Sequence, residues 1–467
     1  MKLTILSALI VSLLMVNMPE NLLAQDNQPG IVSLNLQQAQ EYAINNNTQI
    51  KNSMLDIDIA KKKIKEITSI GLPQINAQAN YTHLFKVPEM SFGGITYLTT
   101  DLPAGTPITS DDILNQSVYL GYIPMEPIQL GVPDNLTLDV TVSQLIFSGE
   151  YIVGLQASKV FYQISQQGKQ QTELNLKESV SNSYNLVLVL NETYSILDKS
   201  YKNLMNTLTE MRAMNAQGFI EDTDVDQLEL TSINLENGLN SLKRQAEAST
   251  YLLKFQIGMP YDQTLILTDS LEGTTTGVSL ESMVNDKFNI NNNLMYQIIN
   301  TQETLTLLNL KREKTTYLPS LAAVYRHQEK VNAPAFDFNP KDVFAISMNI
   351  PIFSSGTRST KVSQRKMELE KIINTKANVA NGLELEYINS QNELKSAYDK
   401  YLNDKKNIEL TQRVYDKTLI KFKEGISTSL DVTNAQNQYL TAQSNYFNAV
   451  YTLITAKNKL DKLKNNQ

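Results

Sequence analysis

Apolar residues recur along this chain with two periods: seven through two long stretches, and two through several short ones. In the first long stretch Val180, Val187, Tyr194, Tyr201 and Leu208 stand seven apart, with Leu190, Leu197, Leu204 and Met211 forming a second seam. In the second, Tyr387, Leu394, Tyr401, Ile408, Tyr415 and Phe422 keep the same spacing. A 3.5-residue period is that of helices wound on one another with left-handed supercoil. No proline falls between Tyr151 and Gln217, or between Arg358 and Glu424, so nothing breaks the backbone ladder. The spacing predicts long helices over about 150–217 and 357–424, each spanning roughly 100 Å. The other seam of the second stretch is small or polar (Ser390, Ala397, Asp404, Thr411, Thr418), which predicts a face that packs less deeply or meets water.

The short period predicts strands. Ile75, Ala77, Ala79 and Tyr81 alternate with polar residues, as do Leu136, Leu138, Val140 and Val142, and then Phe344, Ile346, Met348 and Ile350. The strands fall at about 74–84, 135–147 and 343–353, with a fourth at 319–328 that alternates poorly and is required by a repeat. Apolar-out, polar-in segments of this length suit a barrel with lipid outside and water inside. Aromatic residues near the strand ends (Tyr81, Phe85, Phe147, Tyr317, Phe353) would form its interfacial girdles. Four strands do not close a barrel, for which about eight are needed, so the functional object is an oligomer; two copies supply eight strands and three supply twelve.

The repeat is a duplication. Ile44-Asn45-Asn46-Asn47 returns as Ile290-Asn291-Asn292-Asn293, and Leu72-Pro73 as Leu318-Pro319. Ile146-Phe147-Ser148-Gly149 returns as Ile352-Phe353-Ser354-Ser355-Gly356, and Gly218-x5-Asp224-Val225 as Gly425-x5-Asp431-Val432. Residues 25–262 and 263–467 are therefore read as two copies of a helix–strand–strand–long helix–helix unit. The leading helices cover about 36–70 and 280–316, with a break at each asparagine triplet. The first copy is longer between its strands than the second, and the extra residues lie mainly within 85–134, which holds six of the 14 prolines and reads as an elaborated loop at the far end of the barrel.

Composition narrows the class. A net charge of −7 offers nothing to nucleic acid. Residues 1–24 read as a cleaved signal peptide, with Lys2 ahead of an apolar run and Ala24 before the cut. The absence of cysteine removes both disulfides and a lipid attachment site. No run of apolar residues after the signal is long enough for a helical membrane span. No nucleophile–base pair, phosphate loop or metal-ligand cluster appears, so neither an enzyme nor a cofactor is expected. His83 and His327 occupy similar places in the two hairpins, but two histidines without cysteine make a poor ligand set, and no metal is assigned to them.

The candidate functional residues lie where each long helix reverses: Gly218, Asp224 and Val225, and Gly425, Asp431 and Val432. The glycines read as backbone permissions for the turn. The aspartates read as N-caps of the returning helices, with Gln227 completing a capping-box-like pair with Asp224. Glu221, Asp222, Asp224 and Asp226 make this turn of the first copy densely acidic.

With these residues in place, the chain resembles the TolC-type outer-membrane efflux proteins from residue 33 onward. The carriers are Leu36-x2-Ala39-x3-Ala43-x2-Asn46-Asn47, the Leu-Pro before each first strand, the Phe-Ser-Gly entering each long helix, and both Gly-x5-Asp-Val turns. Thr48 stands where the family usually has proline. The resemblance implies a mainly α protein with a β-barrel part: a homotrimer whose 12-strand outer-membrane barrel, set in outer-membrane lipid, continues into a periplasmic coiled-coil tunnel. It implies the outer membrane of a Gram-negative bacterium, a periplasmic adaptor (membrane fusion) protein, and an inner-membrane transporter of RND, ABC or MFS type. It implies passive conduction of drugs and toxic compounds. By the same resemblance Asp431 matches the first of two gate aspartates in the family's best-known member. The second falls on Asn434 and a basic gate residue on Ser427, so both are missing. An anionic tip ring is then expected from Glu221, Asp222, Asp226 and Asp431 of three chains, favouring cations. Protein secretion through the same duct, and a secreted coiled-coil structural or adhesin-like protein, are the alternatives; membrane fractionation separates the latter.

Overall fold

The computed structural model describes residues 30–91, 93–115, 118–271, 288–333 and 337–464, so the signal segment and the first residues of the expected helix at 280–316 lie outside the described residues. In chain order the elements are β1 (Ile31–Leu34), α1 (Leu36–Asn46), α2 (Thr48–Ile70), β2 (Gln74–His83), β3 (Glu89–Met90), β4 (Ile95–Thr100), α3 (Ser110–Leu114), β5 (Val118–Ile123), β6 (Ile128–Gln129) and β7 (Asp134–Phe147). There follow α4 (Gly149–Ala216), α5 (Asp222–Ile257), β8 (Thr264–Leu267), a 3-10 turn (Ile290–Asn292), α6 (Leu294–Thr315), β9 (Ser320–Lys330), β10 (Asp342–Asn349), α7 (Thr357–Lys423) and α8 (Ser429–Lys464). The chain forms two compact units, one from Met1–Lys51, Glu173–Phe288 and Glu386–Gln467, the other from Asn52–Thr172 and Asn289–Leu385. Each unit draws on both sequence repeats, so repeats and compact units divide the chain differently.

The first unit is helical, with β1 and β8 paired in parallel. Its main core gathers Ala39, Ala43 and Ile50 with Val180, Tyr184 and Val187 of α4 and Leu253 and Ile257 of α5. The Tyr184 hydroxyl donates to the Leu34 carbonyl at 3.0 Å, giving the buried phenol its partner. A second cluster joins Leu394 and Ala397 of α7 to Leu453, Ala456 and Leu460 of α8. Here the expectation of a shallow seam is corrected: Ser390 and Ala397 are fully buried. Small side chains let the helices approach closely, so small does not mean exposed. Asp404, Thr411 and Thr418 remain half-buried.

The last asparagine of each triplet makes the helix break. Asn47 ends α1 in an extended conformation and accepts from Gln49 N at 2.7 Å, while its amide donates to Gln256 O. In the second unit Asn293 caps α6 by accepting from the backbone of Met295 and Tyr296. Asn and Ser side chains of this kind replace the intrahelical partners missing at a helix start.

The second unit contains a four-stranded antiparallel sheet in the order β10-β9-β7-β2. On one face Ile75, Ala77, Ala79 and Tyr81 meet Val142, Val140, Leu138 and Leu136 across the β2–β7 pair, and Phe344, Ile346 and Met348 meet Tyr325, Ala323 and Leu321 across β10–β9. That face is solvent-accessible: Ile75, Phe344, Ile346 and Met348 are each at least 60% exposed. The opposite face pairs Thr141 with Arg326 and Asp139 with Gln328. β9 is a regular strand despite its weak alternation, because Ala322 and Val324 are small enough to sit on the polar face. β10 stops at Asn349 rather than reaching 353; Pro351 has no N–H to continue the ladder. Phe-Ser-Gly starts α4, with Ser148 accepting from Tyr151 N at 3.2 Å. A Cβ on Gly149 would stand 2.8 Å from Thr315 Cβ, so the glycine permits a close helix approach.

Within residues 85–134, expected as a loop, the described residues include an antiparallel ribbon. β3 pairs with β6 and β4 with β5, and α3 lies between β4 and β5.

Candidate functional site: the two helix reversals

Both reversals lie in the first unit. α4 ends with Gly218 at φ 77°, Gly218 N donating to Asn215 O at 2.8 Å and Phe219 N to Met214 O at 3.0 Å. α7 ends identically, with Gly425 at φ 71°, Gly425 N donating to Phe422 O and Ile426 N to Lys421 O. This pair of bonds closes a helix only when the capping residue is left-handed, which is why glycine occupies it.

The returning helices begin one turn earlier than expected, so the capping assignments of Asp224 and Asp431 are corrected. α5 starts at Asp222 with Glu221 at the N-cap, whose side chain makes no capping bond, and no Asp224–Gln227 box forms. Asp224 sits in the first turn, and its carboxylate accepts from the hydroxyl of Ser429 at the start of α8. The first tip is held by Asn215, whose amide donates to Ile220 O and to Asp222 Oδ1 at 2.8 Å. At the second tip Asp431 is the reciprocal partner of the true cap, Thr428. Asp431 Oδ2 accepts from Thr428 N (3.0 Å), Thr428 Oγ1 (2.8 Å) and Ser427 Oγ (3.1 Å), while Asp431 N donates to Thr428 Oγ1. These donors, the Thr428 N–H first, hold the Asp431 carboxyl below its usual range.

Val225 and Val432 anchor the turns from beneath. Val225 packs with Leu204, Leu208, Met211 and Leu228, and Val432 with Tyr415 and Ala435, where Tyr415 stacks on Tyr439 at 6.0 Å. Lys423 of α7 reaches Glu210 of α4 at 2.8 Å. The structure thus brings the two reversals together through Asp224–Ser429 and Lys423–Glu210. Glu221, Asp222, Asp226 and Asp431 are all exposed; Asp222 is held by Asn215 and Asp431 by its capping box. Thr428, Ser429 and Asn215 escaped the sequence reading. The pattern Thr428-x-x-Asp431 was available as a capping signal, but a bond between the two copies was not.

Each histidine belongs to a duplicated cluster. Tyr81 donates to Asp134 Oδ1 at 2.8 Å with His83 Nδ1 2.7 Å from the same oxygen. Tyr325 and His327 sit likewise on Asp342. Among the described residues no group of three or more His, Cys, Asp or Glu is arranged to hold a metal ion, and no helix is long and apolar enough to cross a membrane.

Comparison with known proteins agrees with this architecture. Residues 310–466 match the family model described as outer membrane efflux protein. The chain is 22% identical over 299 residues to Toxin and drug export protein A of Aggregatibacter actinomycetemcomitans, covering 62% of this chain and 64% of that protein. In fold it is similar to CusC, with a TM-score of 0.70 at 11% identity over 95% of both chains. It is also similar to the Campylobacter jejuni CmeC outer membrane channel, with a TM-score of 0.68 at 14% identity over 97% of this chain and 94% of that one.

Proposed function

We propose that this chain, which belongs to the TolC-type outer-membrane efflux protein family, assembles as a homotrimer and forms the outer-membrane channel-tunnel of a tripartite export system. The family and the fold are those of channel proteins. The observation that carries the reading is the sheet β10-β9-β7-β2: two unpaired edges, one exposed apolar face and one polar face. An open, hydrophobic-faced sheet is an aggregation hazard in water and is satisfied when β2 of one copy pairs with β10 of the next and lipid covers the apolar band. Three copies give twelve strands around a polar lumen.

In this reading the long helices form the periplasmic tunnel, and the reversals at Gly218 and Gly425 form its tip. Drugs and toxic compounds pass without chemistry in the channel itself. An inner-membrane transporter (RND, ABC or MFS type) supplies the energy and a periplasmic adaptor joins the two. The name of the A. actinomycetemcomitans relative supports this cargo class. The exposed Glu221, Asp222 and Asp226 of three chains make the tip anionic, with Asp431 contributing through its capped carboxylate.

The test is purification from fractionated membranes, followed by native mass and planar-bilayer conductance. Recovery from the outer membrane at three times the chain mass, with ion conductance, is expected. Recovery as a soluble extracellular monomer overturns the reading.

A further inference from the structure

One buried charge in the helical unit lacks a counter-charge. Lys254, in the last turn of α5, is only 7% exposed, and lysine is buried to this degree almost only when an opposite charge accompanies it. Its ammonium donates to the Tyr261 carbonyl at 3.1 Å and stands 5.3 Å from the centre of the Tyr251 ring. Among the described residues no carboxylate pairs with it. An ammonium carries three N–H donors, and the carbonyl occupies one. The negative end of the helix favours a cation at this position, but it supplies no acceptor for the remaining donors.

Lys254 lines a cavity of about 340 Å³ between α4 and α5, within the first unit. Lys243, Glu247, Tyr251 and Lys254 recur at helical spacing along one stripe of α5, and Asn191 and Tyr194 of α4 face them. The walls beside Lys254 are largely apolar. Ala246 is buried, and the Thr250 hydroxyl is turned onto the Ala246 carbonyl at 2.8 Å. Tyr251 is held edge-on against Tyr261 at 5.9 Å, so its ring has a fixed orientation. Tyr194 adds a half-buried ring from α4.

The charges of the lining select the sign of the occupant. Lys243 and Glu247 are exposed and four residues apart, so water screens them and their fields largely cancel. Lys254 is removed from water, where a charge acts through a lower dielectric. It therefore sets the preference of the cavity. A volume of this size, mostly apolar walls and one fixed charge are the features of a small-molecule site.

We infer that this cavity binds a small organic anion, its carboxylate or phosphate group paired with Lys254 and its apolar body against Tyr194 and Tyr251. The site is formed by two helices of one chain and does not rest on the trimeric channel proposed above.

The test is calorimetric titration of the full-length protein in detergent with benzoate, inorganic phosphate and benzylamine, with native mass measured in parallel. Benzoate is expected to bind saturably at one site per chain, more tightly than phosphate, and benzylamine is expected not to bind. Lys254→Met is expected to weaken benzoate by roughly tenfold or more, the loss of one charge-assisted hydrogen bond. Tyr251→Leu is expected to weaken benzoate while leaving phosphate unchanged, and it keeps the test alive if Lys254→Met does not fold. Absence of saturable benzoate binding to the wild type overturns the site. Benzylamine binding as tightly as benzoate overturns the anion preference, and phosphate binding as tightly as benzoate overturns the role of the tyrosines. Unchanged benzoate affinity in folded Lys254→Met refutes the assignment to Lys254. A wild type that binds no benzoate but loses its oligomeric mass in Lys254→Met shows that the counter-charge comes from a neighbouring copy, which also overturns the site.

Discussion

Ser429→Ala removes the hydroxyl that links α8 to the carboxylate of Asp224 on α5, and its effect distinguishes a structural tip from a gated one. A hydrogen bond to a charged group contributes about 1.5–3 kcal/mol. Asp224 is half-buried, so water partly replaces the lost donor and the lower end applies. The neighbouring Lys423–Glu210 pair, with side chains about half exposed, adds at most about 1 kcal/mol. Asp224–Ser429 is therefore the stronger of the two links. If it holds only in the closed arrangement, its loss shifts the open–closed equilibrium by about 1.5 kcal/mol per chain, roughly tenfold. Single-channel recording should show a higher open fraction in Ser429→Ala, retained closure in Ser429→Thr, and no further increase when Asp224→Ala is added, since both changes remove one interaction. Wild-type conductance in Ser429→Ala, or effects of the two substitutions that simply add, would refute the linkage.

Three further outcomes are expected. The Asp431 carboxyl has a lowered folded-state pKa, so its capping contribution is complete above the unfolded value of about 3.9 and fades as pH falls through the folded value. Thermal melts below about pH 4 should therefore lose stability in wild type and lose less in Asp431→Asn, while Thr428→Ala should cost about 1 kcal/mol near neutrality. Gly258→Ala should be far more damaging than Gly425→Ala. Both residues have positive φ, but a Cβ at 258 would lie 2.9 Å from the Asn46 backbone whereas one at 425 meets nothing within 4 Å; the latter should cost only about 1–2 kcal/mol by denaturant titration. Asp222→Asn/Asp226→Asn removes two exposed carboxylates per chain and should lower cation selectivity in bilayers; unchanged reversal potentials would exclude the anionic ring.

What could be read beforehand followed from how local each signal was. α4 and α7 were legible because a heptad pattern without proline over about 67 residues has one structural solution, and the glycines at 218 and 425 because only φ > 0 closes those helices. The helix starts were misplaced by a turn because an acidic residue suits both the N-cap and the third helical position. Only the donors supplied by Thr428 and Ser427 decide between them at the second tip. The Asp224–Ser429 bond joins residues 205 apart and depends on how two copies pack, which no local pattern encodes. The ribbon was missed for the opposite reason. Its strands carry ordinary β signals, but β4 sets Thr96, Thr99 and Thr100 among apolar residues on both faces, and alternation detects only strands with one wet side.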